Sequence, residues 1–347
     1  MKVKLKGIQI SSISSCVPSD KVDLNNFALE FGENEVNRII KTTGIEGIRQ
    51  ARLNVTTSDL CIEAAKQLFQ VNNVDVSEIG AIVFVSQTAD YIMPQTSHII
   101  QNKLGLNEDT ICFDLPIGCN GYIYGLYQSS LLISSKSCKK VLLLSGDTST
   151  KLINEKDRSL KMVFGDGGSA TLIEEGGDEL SFIIYSDGSK FDSLIIPDGG
   201  ARNPINESSG QLNFDSDGNG RTSSNLFMDG MAIFNFAINR VPPLIQEILE
   251  YVKWEKDEVD LYAMHQANKF MIDYLRKKCK VRIERMPVVV DGIGNTGPGT
   301  IPILLTELNS KSNILNKVIL CGFGIGLSWG AVSCNLSKTN ILNTIEL

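Results

Sequence analysis

A single cysteine stands between two glycines in the stretch DLPIGCNGYIYGL, which spans residues 114–126. The apolar run before it predicts a strand and the apolar run after it predicts a helix, so this residue, Cys119, is expected at a strand-to-helix turn. Gly118 and Gly121 favour a tight turn there and permit close approach of a substrate. Helix N-termini favour thiolates, so we expect a lowered pKa and a nucleophilic role for Cys119. A buried structural cysteine is the alternative, and it is the expectation for most other cysteines.

The regions on either side of this turn continue the same alternation of strands and helices. This pattern predicts an α/β fold, and a 347-residue chain with 42% hydrophobic residues is long enough to bury a large core. Strands are predicted at residues 81–88, 110–115, 140–147, 169–175, 181–186, 260–266, 286–292, 316–323 and 328–336. Helices are predicted at residues 56–70 and 121–135 and along residues 227–251.

The two halves of the chain echo each other. Asp114 in FDLPIG corresponds to Asp291 in VDGIGN, and Val141 in KVLLLSGD corresponds to Val318 in KVILCGFG. Both pairs lie 177 positions apart, so a duplicated α/β unit is the simplest explanation.

We therefore divide the chain into an N-terminal half, residues 1–176, and a C-terminal half, residues 177–347. Cys119 lies in the first half. Residues 198–225 interrupt the pattern in the second half, because they are polar and rich in turn-forming residues. They are expected to form a surface loop or a flap.

Composition and charge narrow the class of protein. No apolar run approaches the ~18 residues that a membrane span needs, and the N-terminus alternates like a strand rather than a signal peptide. The eight cysteines contain no CxxC pair, so neither a zinc site nor a disulfide framework is expected. A net charge of −7 argues against nucleic-acid binding. We expect a cytoplasmic protein without a metal or another cofactor.

Two further residues are candidates for chemistry. His265, in AMHQAN, lies where a predicted strand gives way to a helix, and such a histidine can point its ring into a cleft. His98 lies on an amphipathic helix and is expected to be structural or at the surface. Asn295, in DGIGNTGPGTIP, occupies a glycine-rich turn at the duplicate position of the Cys119 turn. Pairing of the two halves would bring these turns together.

Seven motifs now occur in one order: TTGIEGIR, FDLPIGCNGYIYGL, VFGDGGSATLI, FMDGMAIFNFAI, HQAN, GNTGPGTIP and GFGIGLSWG. In these motifs the chain resembles the β-ketoacyl-acyl carrier protein synthase III family of the thiolase-like superfamily, over nearly its full length. The resemblance implies two duplicated α/β halves packed as a five-layer αβαβα sandwich. It also implies a homodimer.

The resemblance implies a mechanism as well. Cys119 would carry an acyl group as a thioester. His265 and Asn295 would bind the carbonyl of a malonyl-carrier thioester and stabilise the enolate that forms as carbon dioxide leaves. Backbone N–H groups of Cys119 and Ile325 would form the oxyanion hole for the acyl-cysteine. Acyl-CoA and carrier-protein thioesters are then substrates, and no cofactor is implied.

Substrate contacts are also implied by the resemblance, with departures from the family pattern. A tryptophan and an arginine of the usual CoA site are replaced by Arg38 and Thr42, while Arg158 matches a second arginine of that site. Further substrate contacts are implied for Met93, Phe323 and Asn268. The family's carrier-docking surface corresponds to a basic stretch after His265 that includes Lys269, Arg276, Lys277, Lys278 and Arg282.

Other thiolase-like reactions fit the sequence less well. Elongating synthases need two histidines after the cysteine, and only His265 follows Cys119. Thiolases use a second cysteine near the C-terminal glycines, but Cys321 is one residue too early, a slip that turns its side chain to the opposite face of the strand.

Two alternatives stay open. One is an acyltransferase on this fold that passes its acyl group to an amine or hydroxyl, and the other is a non-catalytic partner subunit.

Overall fold

The fold is known from a computed structural model that describes residues 1–308 and 315–347. Its strands are β1 (Lys2–Val17), β2 (Lys21–Asp23), β3 (Gly47–Arg49), β4 (Ile79–Val85), β5 (Ile111–Leu115), β6 (Lys140–Thr148), β7 (Asp166–Ser186), β8 (Leu194–Ile195), β9 (Asn213–Phe214), β10 (Gly220–Arg221), β11 (Phe227–Met228), β12 (Leu261–Met264), β13 (Val318–Gly324), β14 (Ser328–Cys334), β15 (Asn340–Ile341) and β16 (Ile345–Glu346). Its α-helices are α1 (Ala28–Phe31), α2 (Glu33–Thr43), α3 (Thr57–Asn72), α4 (Thr96–Lys103), α5 (Gly121–Ser134), α6 (Arg158–Lys161), α7 (Gly230–Val252), α8 (Lys269–Cys279) and α9 (Thr300–Leu308).

Two sets of strands with the same pairing directions are joined through β7. In the first set, β4 pairs in parallel with β6, and β6 pairs antiparallel with the first part of β7. In the second set, β12 pairs in parallel with β13, and β13 pairs antiparallel with β14. The last part of β7 pairs with β14, and β1 runs antiparallel along most of β7. One strand pair therefore ties both sets together.

Alternation along the strands produces five layers. In β4, Val83 faces a central cluster that contains α5 and α9, while Phe84 faces an outer cluster with α3. In β13, Leu320 faces the same central cluster, while Phe323 faces an outer cluster with α7 and α8. The order is helix, sheet, helix, sheet, helix, and this confirms the predicted αβαβα sandwich. None of the helices in the described part of the chain is both long and apolar enough to cross a membrane.

Two of the predicted strands form one continuous strand. Residues 169–175 and 181–186 were expected to form separate strands, but both lie in β7. Ile8 of β1 pairs with both Glu175 and Asp178, so the two intervening glycines form a bulge rather than a turn. The boundary that we placed after residue 176 falls at this bulge, and the division into two halves there stays a prediction.

Residues 286–292 form no regular strand, although a strand was expected. No strand among the described residues pairs with this segment, and two of its backbone groups bond to the side chain of buried Gln266 instead. Gln266 Oε1 accepts from the Val289 N–H at 2.9 Å, and Gln266 Nε2 donates to the Pro287 carbonyl at 3.5 Å. The segment leads directly into the turn that carries Asn295.

Residues 198–225 are largely exposed, as expected of a surface loop. The short hairpin of β9 and β10 lies within them. The loop is anchored at its base, because Arg221 Nε donates to buried Asp157 at 2.8 Å. The Gly220 N–H also donates to the Lys156 carbonyl at 3.0 Å.

Candidate active site

Cys119 lies in a tight turn between β5 and α5, as the sequence predicted. The Gly121 N–H donates to the Gly118 carbonyl at 2.6 Å and closes the turn. A side chain at residue 121 would place its Cβ 2.5 Å from Val85 Cγ1, so only glycine fits there. A side chain at residue 324 would place its Cβ 2.7 Å from the Cβ of Cys119. The backbone of β13 therefore passes directly beside the sulfur.

The electrostatic environment of Cys119 differs from the one that we expected. Burial raises the pKa of the Cys119 thiol to about 12, and the nearby carboxyl group of Asp147 adds to the effect. The backbone N–H groups of Cys119 and Ile325 lower this pKa but do not outweigh burial. The expected low pKa of Cys119 was wrong, because burial of the thiol outweighs the effect of the helix terminus. The same two N–H groups are the pair predicted for the oxyanion hole.

His265 is held at the end of β12 by bonds on two sides. The backbone N–H of His265 donates to the Cys321 carbonyl at 2.8 Å, and the ring Nδ1 lies 2.7 Å from the Thr300 hydroxyl. The ring edge packs against Phe323, with 5.4 Å between ring centroids. Burial lowers the pKa of His265 to about 3, so the imidazole is neutral at physiological pH. Among the described residues, the ring makes a hydrogen bond through Nδ1 alone, and His265 lines a cavity.

Asn295 is oriented by its own turn. Its Oδ1 accepts from the Gly297 N–H at 3.1 Å, and its backbone N–H donates to the Val163 carbonyl at 2.9 Å. Because Oδ1 is occupied in this way, the Nδ2 amide is left to donate into the cavity. The turn itself needs glycine at residue 297, where φ is +60°.

The cavity has a volume of about 380 Å³ and brings Cys119, His265 and Asn295 together. Phe323 and Asn268, which the resemblance implied as substrate contacts, also line it. Most of the remaining wall is apolar and comes from residues 228–234 and 267–271, at the start of α7 and of α8. An apolar channel with a few polar atoms beside a thiol suits a thioester on a flexible arm.

A second and much smaller cavity is also lined by Cys119. It measures about 30 Å³. Besides Cys119 and Ile325 its wall includes Gln87, Asp147 and Ser149. Burial raises the pKa of Asp147 to about 7, although its Oδ1 accepts bonds from Ser86, Thr88 and the Gln87 N–H. Cys119 therefore lines both a large apolar cavity and a small one whose mainly apolar wall includes a few polar side chains.

The two arginines of the implied CoA site lie outside both cavity walls. They meet at Glu35: Arg38 Nη2 lies 2.6 Å from Glu35 Oε1, and Arg158 Nε lies 3.3 Å from the same oxygen. Arg158 also donates to the Asp217 carbonyl of the 198–225 loop. Their positive charge is thus partly neutralised. Met93 does not reach Cys119 in its own chain and is 79% exposed.

The basic stretch follows the cavity along α8. Asn268 begins the helix, and its side chain accepts from the Met271 N–H at 2.8 Å. Near the cavity, Lys269 and Arg276 both pair with Asp273. Four exposed side chains at the end of α8 and just after it have no acidic partner among the described residues: Lys277, Lys278, Lys280 and Arg282. The uncompensated positive charge therefore lies at the C-terminal end of α8 and just beyond it.

Sequence reasoning missed several residues of the site. Thr300 holds the ring of His265, and the only signal for it was its place in the GPGTIP turn. Asp147, Ser149 and Gln87 line the small cavity, yet they occur in ordinary strand ends, SGDTS and VSQT. Nothing in those runs indicates that they face a cysteine. Within residues 1–308 and 315–347, no group of three or more His, Cys, Asp or Glu side chains is placed to hold a metal ion.

Two α/β units packed face to face, with a cysteine turn in one and a histidine and an asparagine in the other, define a thiolase-like condensing enzyme. Comparisons with known proteins agree. The 3-oxoacyl-[acyl-carrier-protein] synthase III family model matches residues 113–188, and the model of its C-terminal region matches residues 249–336.

The similarity to individual proteins extends over almost the whole chain. A putative 3-oxoacyl-[acyl-carrier-protein] synthase 3 of Campylobacter jejuni is 34% identical, covering 99% of this chain and 98% of its own. A β-ketoacyl-[acyl-carrier-protein] synthase III of Lactococcus lactis is 33% identical, covering 94% and 99%. The crystal structure of a 3-oxoacyl-(acyl-carrier protein) synthase from Burkholderia xenovorans superimposes with a TM-score of 0.92 at 35% identity, covering 100% and 99%. The chain belongs to the β-ketoacyl-acyl carrier protein synthase III family.

Proposed function

We propose that the protein condenses an acyl primer with malonyl-acyl carrier protein, through an acyl thioester on Cys119, to give a 3-oxoacyl-acyl carrier protein. One observation carries the proposal. Cys119, His265 and Asn295 open onto one cavity, and the bond from the Gly297 N–H leaves the Asn295 amide as a donor into it. A simple acyl transfer has no use for such a donor, whereas an enolate needs one.

The first step loads the enzyme. The Cys119 sulfur attacks the carbonyl carbon of the primer thioester, and the oxyanion of the tetrahedral intermediate accepts bonds from the backbone N–H groups of Cys119 and Ile325. The intermediate collapses with cleavage of the bond to the departing sulfur. The Cys119 proton ends on the departing thiol, so the step releases free CoA or carrier thiol.

The second step forms the carbon–carbon bond. The malonyl thioester carbonyl accepts hydrogen bonds from Asn295 Nδ2 and from His265 Nε2–H. The bond to the carboxylate breaks, carbon dioxide leaves, and the electron pair enters the enolate that these donors stabilise. The enolate carbon then attacks the acyl-Cys119 carbonyl, and collapse releases the product and the Cys119 thiolate, which takes up a proton.

Thr300 is the positioning residue for this step. With its hydroxyl donating to Nδ1, the neutral imidazole carries its proton on Nε2 and can donate to the substrate. The hydroxyl can otherwise donate to the Gly297 carbonyl, 3.1 Å away, and then Nδ1 bears the proton. Thr300 therefore accommodates both neutral tautomers of His265.

The partners follow from the surface around the cavity. We propose that an acidic acyl carrier protein docks on the basic far end of α8, at Lys277, Lys278 and Arg282. Arg38 and Arg158 are proposed to contact the donor of the primer at the rim. Charge complementarity of this kind governs the rate of association and is sensitive to salt.

A homodimer is also proposed. Tyr91, Ile92 and Met93 form a consecutive apolar segment with exposures of 63%, 95% and 79%, which a second copy of the chain would cover. We further propose a cytoplasmic location, since the eight cysteines are free thiols as in reducing compartments.

The function is tested by intact-mass spectrometry. The protein is incubated with a panel of acyl-CoA and acyl-carrier thioesters, and malonyl-carrier protein is then added. The proposal expects an acyl adduct on Cys119 that disappears only when malonyl-carrier protein is present, together with a 3-oxoacyl product. An adduct that ignores malonyl-carrier protein but is discharged by an amine or alcohol would identify the acyltransferase alternative. The absence of any adduct with every donor would contradict the proposal.

A further inference from the structure

A single carboxylate is paired with both arginines that flank the large cavity. Arg38 donates to Glu35 in a bidentate geometry, from Nε to Oε2 at 2.9 Å and from Nη2 to Oε1 at 2.6 Å. Arg158 Nε lies 3.3 Å from the same Oε1, and Arg158 also donates to the Asp217 carbonyl. The Arg38 guanidinium lowers the pKa of Glu35, so this carboxylate is charged at neutral pH. We call these three paired residues, on α2 and α6, the rim cluster.

The rim cluster lies beside the mouth of the large cavity. The wall residues Met231 and Phe270 are 69% and 49% exposed and therefore mark that mouth. The end of α2 contacts the start of α8 there, because a Cβ built on Gly44 would lie 2.7 Å from the Cβ of Lys269. The end of α6 leads into the wall, since Val163, two residues farther on, lines the cavity. A donor whose arm enters the cavity therefore passes the rim cluster.

Other cations on the helices around the mouth are also paired. Lys269 of α8 pairs with Asp273, and Lys161 of α6 pairs with Glu155. Among the described residues of α2 and α6, Lys41 is the one cation without an acidic partner. The unpaired positive charge of α8 lies at its C-terminal end, about 12 Å along the helix from its start. The mouth therefore offers little free positive charge to a phosphate group.

This distribution of charge distinguishes between the two donors of a primer. CoA carries a pyrophosphate and a 3′-phosphate beyond its pantetheine arm, and unpaired Arg or Lys side chains bind such groups best. A carrier protein presents the same arm through a single phosphodiester. The rest of its negative charge lies on its own acidic side chains, which can reach cations farther from the mouth. The unpaired end of α8 therefore suits a carrier protein better than a nucleotide.

We infer that the primer is delivered to Cys119 on an acyl carrier protein rather than on CoA, and that Glu35 imposes this choice. The inference rests on the proposed function. A nucleotide phosphate at the rim cluster either displaces Glu35 from its arginines or faces its negative charge, and both cost binding free energy. The side chains of Glu35 and Arg158 are only 21% and 26% exposed, so water and salt screen their charges incompletely.

The aromatic side chains at the mouth support the same donor. Phe270 stacks on Phe234 with 5.4 Å between ring centroids, and Tyr274 meets Phe234 edge-on at 5.2 Å. One helical turn beyond Tyr274, the Lys278 Nζ lies 5.6 Å from the centroid of the Tyr274 ring. One face of α8 thus leads from the half-exposed Phe270 to the unpaired basic end. An apolar patch with a basic edge suits the surface of an acidic protein.

The test measures loading of Cys119 from matched donors. Acetyl, butanoyl and octanoyl groups are each presented on CoA, on pantetheine and on acyl carrier protein. The readout is the second-order rate constant for formation of acyl-Cys119 by the purified protein, followed by intact-mass spectrometry. For the acyl group that loads fastest, we expect the carrier thioester to exceed the CoA thioester by at least about tenfold. The pantetheine thioester, which has the arm without phosphates, is expected to load at least as fast as the CoA thioester.

Two variants of α2 assign the selectivity to the rim cluster. Glu35→Gln keeps the shape of the side chain but frees both arginines, so we expect loading from CoA to rise about fivefold relative to loading from carrier protein. Glu33→Gln is the matched control, because Glu33 is an exposed carboxylate of the same helix without a basic partner among the described residues. The control removes the same charge and is expected to keep the wild-type ratio.

The outcomes separate this inference from the proposed function. A CoA thioester that loads as fast as the carrier thioester would overturn the inference and leave the function intact. A ratio that shifts equally in Glu35→Gln and Glu33→Gln would also overturn it, because general surface charge would then set the preference. Absence of acyl-Cys119 with every donor would contradict the proposed function itself.

Discussion

The two cavities that meet at Cys119 differ in size, polarity and origin. The larger one, about 380 Å³, is formed mainly by the second half of the chain and is apolar except for a few amide and imidazole atoms. The smaller one, about 30 Å³, is lined by polar groups at the ends of first-half strands as well as by apolar side chains. The larger cavity contains the groups proposed to act on the malonyl thioester, and the smaller one contains polar side chains that this chemistry does not use. Each can therefore be disrupted without the other.

Removal of the Cys119 thiol should have the largest effect on activity, because both the loading step and the condensation step need it. Cys119→Ala is expected to abolish the acyl adduct and to lower condensation by about 10⁴-fold or more. Intact-mass spectrometry and product formation measure the two losses. Cys112→Ala is the matched control, since Cys112 is a free cysteine of neighbouring β5. A Cys119→Ala protein that still accepts the acyl group would place the nucleophile elsewhere.

Loss of the His265 side chain should slow only the condensation step, whose proposed donors line the large cavity. His265→Asn is expected to form the acyl-enzyme but to condense it about 100-fold more slowly, because one of two hydrogen bonds to the enolate is lost. Single-turnover measurements separate loading from condensation. Equal losses in loading and in condensation would show that His265 does not act in the condensation step alone.

Replacement of Thr300 should lower the rate of condensation less, because Thr300 acts only through the orientation of the His265 ring. Thr300→Val keeps the shape of the side chain but leaves Nδ1 without a partner, so we expect about a tenfold loss of condensation and a changed pH profile. Thr300→Ser should restore both. If the valine and serine variants lose activity to the same extent, packing rather than the hydroxyl is responsible.

The last expected effect is on stability at low pH and does not concern catalysis. The pKa of His265 is lowered to about 3 in the folded protein, so only the unfolded chain takes up this proton between pH 6.5 and 3. Stability from this group is therefore lost as the pH falls below 6.5, by about 2 kcal/mol at pH 5. His265→Asn should show a smaller drop in unfolding free energy between pH 7 and pH 5, measured by urea titration. Asp147 titrates in both proteins, so the difference isolates His265.

Much of the catalytic geometry could be predicted from the sequence because it rests on local rules. A glycine–cysteine turn between a strand and a helix and a glycine-rich turn at the duplicate position are visible in the chain, and the structure brings them to one cavity. The strands also followed from apolar runs wherever a neighbouring strand exists. Residues 286–292 failed this rule because the Gln266 side chain replaces the neighbour.

Other features of the fold and the site depend on contacts between residues far apart in sequence, which no local sequence pattern indicates. The strands before and after the glycines that follow Glu175 were expected to be separate, since the continuous partner strand β1 that pairs with both lies far away in sequence. The pKa of Cys119 was expected to be low from its helix, but burial is a property of the whole fold. Ser149 and Gln87 come to lie beside Cys119 only through the fold, which is why no local sequence pattern indicated them.

The most direct test of the account is release of labelled carbon dioxide from carboxyl-labelled malonyl-carrier protein by the Asn295→Asp variant. Aspartate keeps the acceptor for the Gly297 N–H but replaces the donor amide with a group that repels an enolate. We predict a normal yield of acyl-Cys119 with carbon dioxide release lowered at least about 100-fold. Release at the wild-type rate would contradict the assignment of Asn295 and, with it, the decarboxylative mechanism proposed for this site.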